Sequence, residues 1–293
     1  MTGTEEPQPF SAAGLDALPP PAVARKAADV GAAKAHLDLV STFALAVLAG
    51  AFIALGAAFA TTVLAGGSEL PYGVARLLGG LAFSLGLILV VGAGAELFTG
   101  NNLLVMAWAS RRVATRRLLL LWVVVYLGNF VGAIATAGLV ALSREHTFGK
   151  GSVGDTALTI AVTKTGLGWG QAVALGILCN ALVCLAVWLT YAARSLADKV
   201  LVIVPPIAAF VALGFEHSVA NMYFIPYALF VRADTGWLAG RGGLPGLEHL
   251  SWGRFFWANL LPVTLGNLVG GVVRVGGVYW FVYLRPRRES PGV

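Results

Sequence analysis

The chain has 293 residues, of which 58% are hydrophobic and only 12% are charged, and its mean hydropathy is +0.80. A soluble domain carries about 25% charged residues, whereas here the charges cluster and leave uncharged runs at 39–68, 118–143 and 165–193. Each run exceeds the roughly 20 residues that cross a bilayer as a helix. The composition therefore excludes a soluble protein, and a net charge of +6 carried by loop residues is typical of a membrane protein rather than of nucleic-acid binding.

Residues 1–38 are predicted to form a cytoplasmic N-terminal segment without the pattern of a signal peptide. Residues 1–21 are rich in proline and are expected to be disordered. Between 21 and 39, charged residues are scattered among alanines. This pattern favours a helix at the membrane surface, and an unstructured lead-in is the alternative.

An all-α membrane domain with six transmembrane helices is predicted at 39–285, followed by a cytoplasmic tail at 286–293. The second and fifth spans are unusually long, because 77–110 and 200–231 have 34 and 32 residues and a single glutamate each as their only charge. A straight helix of that length would overrun a ~30 Å hydrocarbon core by more than half. We therefore expect these two helices to be broken near Glu96 and Glu216. The spans are placed at 40–64, 75–110, 118–142, 168–193, 200–231 and 255–284.

Two internal matches point to a duplicated domain. Segments 94–101 and 214–221 both read Gly-x-Glu, four residues, then Asn, and Leu-Gly-Asn-x-Val-Gly recurs at 127–132 and 265–270. Gly50 and Gly176 form a weaker third match. Repeats of three helices, at about 39–142 and 168–284, must enter the membrane in opposite directions, which predicts an inverted repeat with broken helices around a central site.

Loop charges predict the topology. The loops on the side of both termini carry about twice as many arginines and lysines as the opposite loops, which places both termini in the cytoplasm of a bacterial inner-membrane protein. Lys164 ends the segment 143–164, which is predicted to be an outer loop. It is either a surface lysine or an anion-attracting charge at the mouth of a vestibule.

His217 is the histidine that lies in a predicted helix break, whereas the other three histidines fall in polar segments. Ionisable groups within a membrane are rare and face cavities. Since histidine titrates near neutral pH, His217 suits the handling of a proton beside a permeating weak acid; the alternative is a packing role. Cys179 and Cys184 lack companion ligands and are interpreted as packing residues, so no metal and no cofactor is expected.

The polar residues at the breaks are interpreted mainly as structural. Glu96 and Glu216 are candidates for ion binding, but we favour a scaffold role in which each carboxylate accepts hydrogen bonds from backbone N–H groups freed at the break. Asn101 and Asn221 are expected to hold the same loops, and Asn129 and Asn267 the helix crossings.

Several apolar residues flank the breaks. Phe83 and Leu87 precede the first break, Phe98 lies in it, and Phe210 precedes the second. They are ordinary packing residues or, if the breaks line a pore, dry constrictions on either side of His217. A monoanion crosses such a constriction at high cost, whereas its neutral acid crosses easily.

Four segments, 94–101, 175–180, 214–222 and 259–267, resemble the formate/nitrite transporter family, and the likeness spans about residues 35–285. The formate-channel branch is the more similar, through Gly-Leu-Ala-Phe-Ser-Leu-Gly-Leu-Ile-Leu at 80–89 and Val-Cys-Leu-Ala-Val-Trp at 183–188. Gly-Asn-Asn at 100–102 is equally typical of nitrite members.

This resemblance implies an aquaporin-like six-helix protomer, a homopentamer and one pore in each protomer. It implies that His217 is the central pore histidine with Thr99 as its partner, and that Asn180 and Lys164 lie on the substrate path. The family's hydrophobic constrictions match Phe83, Leu87, Phe98, Val183 and Phe210.

The expected function is passage of a small weak-acid anion together with protons, formate first and nitrite, hydrosulfide or lactate as alternatives, by a channel or by proton symport. A water or glycerol channel would carry paired Asn-Pro-Ala motifs, which this sequence lacks. An intramembrane enzyme using Glu216 and His217 would need further ligands, such as those of His-Glu-x-x-His. The N-terminal helix is a candidate gate and a candidate binding site for a cytoplasmic enzyme partner.

Overall fold

The computed structural model describes residues 17–67, 70–241 and 245–286, and the regular elements within these ranges are helical. The predicted tail and most of the predicted disordered lead-in, residues 287–293 and 1–16, lie outside the described residues. The helices are α1 Pro20–His36, α2 Leu39–Leu64, α3 Tyr72–Gly92, α4 Val105–Ala109, α5 Thr115–Leu142, α6 Ser152–Thr165, α7 Trp169–Ala192, α8 Leu196–Ala212, α9 Ser218–Ala233, α10 Thr235–Ala239 and α11 Trp252–Tyr283.

Among the described residues, five helices are long and apolar enough to cross a membrane, namely α2, α3, α5, α7 and α11. The fifth predicted span, 200–231, is divided between α8 and α9, which have 17 and 16 residues. Neither half alone reaches the length of a spanning helix. The count of six spans therefore stays a prediction, while the all-helical membrane fold is confirmed.

Both predicted helix breaks are present. Helix α3 ends at Gly92 and regular structure resumes with a 3₁₀ turn at Gly100–Leu104, while α8 ends at Ala212 and α9 begins at Ser218. Gly94 and Gly214 lie at equivalent points of the two breaks, each with φ +72°. A side chain is strained in this conformation, so glycine permits the chain to reverse there.

Helices α2 and α5, and likewise α7 and α11, cross in backbone contact. A Cβ atom on Gly132 would lie 1.9 Å from the carbonyl oxygen of Val47, and one on Gly270 would lie 2.3 Å from that of Ile177. Glycine at these crossings allows the close approach. The two crossings are equivalent, so position 47 corresponds to position 177.

This spacing of 130 residues (47 and 177) corrects one predicted equivalence. By the same spacing Gly176 corresponds to Ala46, so the predicted match of Gly50 with Gly176 is wrong by one helical turn. The residue equivalent to Gly50 is Asn180. The sequences of apolar helices can be aligned at several registers with similar agreement. The contacts at the helix crossings identify the correct register.

Helix α1 is present at Pro20–His36. Val23, Ala24 and Ala27 are buried in a cluster with Met106 and Trp188. The apolar face of α1 therefore packs on the membrane domain, and its position at the membrane surface stays a prediction. Burial of this face against protein explains why alanine and glycine, rather than bulky residues, occupy it.

The predicted outer loop at 143–164 is largely helical, and this prediction was wrong. Helix α6 buries Val153, Ala157, Leu158 and Ala161, which recur at helical spacing, and it packs against α9. The segment is too short and too polar to span a bilayer, so the hydropathy criterion alone missed it.

Candidate functional site

The first break is held by the side chain of Asn129. Its Oδ1 accepts the backbone N–H of Phe98 at 2.8 Å, and its Nδ2 donates to the carbonyl oxygens of Glu96 and Ala46 at 2.9 and 2.7 Å. Asn129 is fully buried. One amide therefore pairs two backbone groups of the break, the N–H of Phe98 and the carbonyl of Glu96, and ties them to Ala46 in α2.

The second break repeats this arrangement around Asn267. Its Oδ1 accepts the backbone N–H of Ser218 at 2.9 Å, and its Nδ2 donates to the carbonyl oxygens of Glu216 and Gly176, both at 2.9 Å. The predicted role of the two asparagines at the helix crossings is thus present in the structure.

The break glutamates are also structural, but in a different way from the prediction. The carboxylate of Glu96 accepts hydrogen bonds from Lys34 Nζ at 3.1 Å and from Asn101 Nδ2 at 2.6 Å. The carboxylate of Glu216 accepts hydrogen bonds from Lys164 Nζ and Asn221 Nδ2, both at 2.7 Å.

These donors are side chains, so the prediction that the carboxylates hold freed backbone N–H groups is wrong. The asparagine amides perform that function, because an amide offers a donor and an acceptor whereas a carboxylate only accepts. Asn259 supplies a further bond to Glu216 at 3.0 Å. Both carboxylates are almost fully buried, and each is compensated by a lysine.

Lys34 is a site residue that the sequence analysis missed. Lys34 and Lys164 are 130 residues apart (34 and 164), which is the spacing of the helix crossings. We infer that α1 and α6 are equivalent and that each repeat begins one helix before the predicted bounds. An alignment of the halves at this spacing would have found Lys34.

His217 and Thr99 meet where the two breaks come together. His217 Nε2 lies 2.9 Å from Thr99 Oγ1, and His217 Nδ1 accepts the backbone N–H of Ala220 at 3.0 Å. Since a backbone N–H can only donate, Nδ1 is the acceptor and the ring proton is on Nε2. Nε2 then donates to Thr99, which leaves the hydroxyl proton of Thr99 free to bind an anion or a carbonyl oxygen.

Two larger cavities lie near this pair; His217 lines one of them, and Thr99 is fully buried outside their linings. The Lys164 cavity, of about 310 Å³, is lined by Lys164, Arg76, Glu216, Phe210 and His217 among others. The Lys34 cavity, of about 270 Å³, is lined by residues that include Lys26, Lys34, Glu96, Leu97 and Lys199.

A third cavity of only about 10 Å³ lies between them, lined by Ile53, Phe83, Leu87, Leu97, Val183, Ile207, Phe210 and His217. This volume holds at most one water molecule. It shares Leu87 and Leu97 with the Lys34 cavity, and Phe83, Phe210 and His217 with the Lys164 cavity. A narrow, mainly apolar constriction thus separates two cavities that contain charged residues.

Four of the five predicted constriction residues line this small cavity: Phe83, Leu87, Val183 and Phe210. The ring of Phe98 instead packs edge-on against Tyr126, with ring centroids 4.9 Å apart. Ile53, Leu97 and Ile207 were not predicted, because single aliphatic residues in apolar helices carry no distinguishing signal.

Asn180 braces the breaks from outside the cavities. It is fully buried, and its Nδ2 donates to Asn102 Oδ1 and to the carbonyl oxygen of Asn267, both at 2.7 Å. Cys184 donates through Sγ to the carbonyl oxygen of Thr99 at 3.3 Å. These contacts give Asn180 and Cys184 a place in the support of Thr99. Within the described part of the chain, no three His, Cys, Asp or Glu side chains are grouped as metal ligands.

Known proteins resemble this chain over most of its length. The family model described as formate/nitrite transporter matches residues 21–281. The chain belongs to the formate/nitrite transporter family. It is 44% identical over 274 residues to the formate channel FocA of Escherichia coli K12, covering 92% of this chain and 96% of that protein. It is 36% identical over 267 residues to the formate channel BtFdhC of Bacillus thuringiensis, covering 90% and 95%.

Solved structures agree with this membership. A pentameric formate channel with formate bound superimposes with a TM-score of 0.77 at 42% identity, covering 84% of this chain and 98% of that one. An ion channel of the same family gives a TM-score of 0.76 at 29% identity, with coverage of 89% and 98%.

Proposed function

We propose that this family member carries formate across the membrane through a pore in each protomer of a homopentamer. Relatives named as formate channels at up to 44% identity, and a pentameric neighbour with formate bound, support this substrate and assembly. Nitrite is the second candidate, because it is a monovalent oxyanion of similar size and gives the family part of its name.

The protein resides in the bacterial inner membrane with both termini in the cytoplasm, as the loop charges favour. In this orientation the Lys164 cavity opens to the outside and the Lys34 cavity to the cytoplasm. The family model is that of a transporter, which supports transport without chemical conversion of the substrate.

The observation that carries the mechanism is the narrow, mainly apolar constriction between the two cavities that contain charged residues, with His217 in its wall. A charged anion in such a space loses its hydration, which costs far more than moving a neutral molecule. The anion therefore takes up a proton at or near His217 and crosses the constriction as the neutral acid. The hydroxyl of Thr99 provides the polar contact that guides it.

His217 acts in this mechanism as a neutral ring. A proton on Nδ1 would face the N–H group of Ala220, so the contact that orients the ring opposes the imidazolium form. His217 also precedes α9, and the positive end of a helix disfavours a cation there. The proton therefore comes from water in the cavity beside the ring, and His217 with Thr99 stabilises the acid that forms.

Proteoliposomes containing the purified protein test this proposal. We expect His217→Phe and Thr99→Val to lower pH-dependent formate influx at least about tenfold, since each removes a polar contact made at the barrier. His249→Phe is the matched control, because His249 is two-thirds exposed and lines neither the two larger cavities nor the constriction. Influx by His217→Phe equal to that of the parent would overturn the mechanism, and a parent without formate influx would overturn the function.

A further inference from the structure

The charged residues that line the Lys164 cavity carry a net positive charge. Its charged lining residues are Arg76, Lys164 and Glu216. Lys164 Nζ lies 2.7 Å from the Glu216 carboxylate, and both side chains are mostly buried. This pair is neutral as a whole, so Arg76 supplies the net positive charge that an anion entering the cavity meets.

The guanidinium of Arg76 is held in a fixed position. Its Nε donates to the carbonyl oxygen of Ala212 at 3.4 Å, and its Nη2 donates to that of Val211. These carbonyls belong to the C-terminal end of α8, which carries a partial negative charge that stabilises a cation. The helix end therefore orients the guanidinium without neutralising it.

Arg76 retains donors for a ligand. A guanidinium has five N–H groups in one plane, and the two helix-end contacts use one on Nε and one on Nη2. In the described ranges, no carboxylate lies within ion-pair distance of Arg76, and no bond to its Nη1 is found. A planar group with adjacent free N–H donors matches the two oxygens of a carboxylate.

The second break has this guanidinium contact, whereas the first break has a leucine at the equivalent position. The breaks are 120 residues apart (94 and 214), so the position equivalent to Arg76 is Leu196. Leu196 lies beside Gly92, as Arg76 lies beside Gly214. The folding of a break therefore does not require a guanidinium, since the first break forms with leucine in that place.

We propose that Arg76 is an anion-recognition residue of the Lys164 cavity, where its Nη1 N–H groups bind a small monovalent carboxylate or oxyanion before it reaches the constriction. The inference rests on the proposed function and adds a binding step ahead of His217. It assigns the charge selectivity of this entrance to Arg76 and leaves Lys164 mainly to compensate Glu216.

Formate influx from the side of the Lys164 cavity tests the proposal, with the half-saturating concentration and the maximal rate measured at low ionic strength. We expect Arg76→Gln to raise the half-saturating concentration about fivefold or more without lowering the maximal rate, because charged clefts concentrate ligands by this order. High salt should remove the difference. Arg76→Lys keeps the charge but loses the planar donors, so its half-saturating concentration should lie between those of the parent and of Arg76→Gln.

Arg254→Gln is the matched control. Arg254 also donates from a guanidinium to a helix-end carbonyl, that of Thr165, but it lies outside the lining of the Lys164 cavity. The half-saturating formate concentration of Arg254→Gln should equal that of the parent. If Arg76→Gln lowers only the maximal rate, Arg76 is structural and the proposal is wrong. Absence of formate influx in the parent would instead contradict the proposed function.

A second test requires no substitution. Phenylglyoxal modifies accessible guanidinium groups, and mass spectrometry of the labelled pentamer measures the extent at each arginine. Formate should protect Arg76 and leave the labelling of Arg254 unchanged. Equal labelling of Arg76 with and without formate, or no labelling at all, would overturn the proposal, since it requires Nη1 to be reachable from the cavity.

Discussion

The two helix breaks use the same support but present different residues to the constriction. In each, a buried asparagine bonds to three backbone groups, and a lysine compensates a buried glutamate. After that glutamate, the first break has Leu97 and the second has His217, and both line the small cavity. The two halves thus share the hydrogen bonds that support the breaks, but they differ in the residue that follows the glutamate and lines the constriction.

Two further positions differ between the halves. Gly50 in the first half corresponds to Asn180 in the second, which bonds to Asn102 and Asn267. Leu196 corresponds to Arg76 at the Lys164 cavity. At both positions one half has a polar residue and the other has glycine or leucine. The inverted halves therefore differ in chemistry even where their backbones match.

The largest expected effect concerns the shared asparagines. Asn129→Leu and Asn267→Leu each leave one N–H and one carbonyl group of a break unpaired, at about 1–3 kcal/mol per group, and also remove the tie to α2 or α7. We expect either variant to lose the folded oligomer, as measured by size-exclusion chromatography in detergent. If one of the two assembled normally, the breaks would not share one support.

Loss of the lysine should destabilise the protein more at the Lys164–Glu216 pair than at the Lys34–Glu96 pair. The side chain of Lys164 is 15% exposed and that of Lys34 is 26% exposed. Lys164→Met leaves a buried carboxylate without compensation, which costs about 3–5 kcal/mol, and Lys34→Met should cost less because water reaches that pair. Thermal unfolding measures both.

The double variant Lys164→Met with Glu216→Gln is the control for this prediction. It removes the uncompensated charge, so its unfolding temperature should lie above that of Lys164→Met alone. A greater loss from Lys34→Met than from Lys164→Met would contradict the ranking of the two pairs.

A smaller effect tests the difference at Gly50. A Cβ atom there would lie 2.1 Å from the backbone oxygen of Asn129, which cannot move aside easily. Gly50→Ala should therefore destabilise the protein by about 1–3 kcal/mol. Gly170→Ala is the matched control, since a Cβ atom on Gly170 meets nothing within 4 Å. Equal unfolding temperatures of the two variants would argue against backbone contact at this crossing.

The smallest effect concerns the start of α2. Asp38 Oδ1 accepts the backbone N–H of Ser41 at 2.9 Å, whereas the equivalent residue at the start of α7, Gly168, has no side chain to do so. The backbone N–H of Ser41 lowers the pKa of Asp38 from its ordinary value. Its stabilising contribution is therefore complete above that value and is lost as the pH falls through the lower, folded-state pKa.

Unfolding temperatures between about pH 5 and pH 3 measure this contribution. Asp38→Asn keeps an acceptor for the helix end but does not titrate, so its unfolding temperature should fall slightly less with acid than that of the parent. Gly168→Asp should add a similar small dependence to α7. An identical acid slope in all three proteins would show that this helix end is irrelevant to stability.

Much of the fold was predictable because a bilayer restricts the possible structures. Long uncharged runs predicted the spanning helices, and two runs too long to be straight predicted the breaks at Glu96 and Glu216. Helix α6 and the packing of α1 were not predictable in this way. Both helices are short and bury their apolar faces against protein, and hydropathy does not distinguish such a face from one that meets lipid.

The features of the site also fall into those that were predictable from the sequence and those that were not. His217 was predictable as an ionisable group at a break within the membrane, because composition leaves few polar residues there. Three features required the folded structure: Ala220 and Thr99 select the tautomer of His217, Phe98 turns toward Tyr126, and Lys34 compensates Glu96. Each of these depends on the direction of a side chain relative to a residue distant in the chain, and contacts across a fold set that direction where spacing along the sequence cannot.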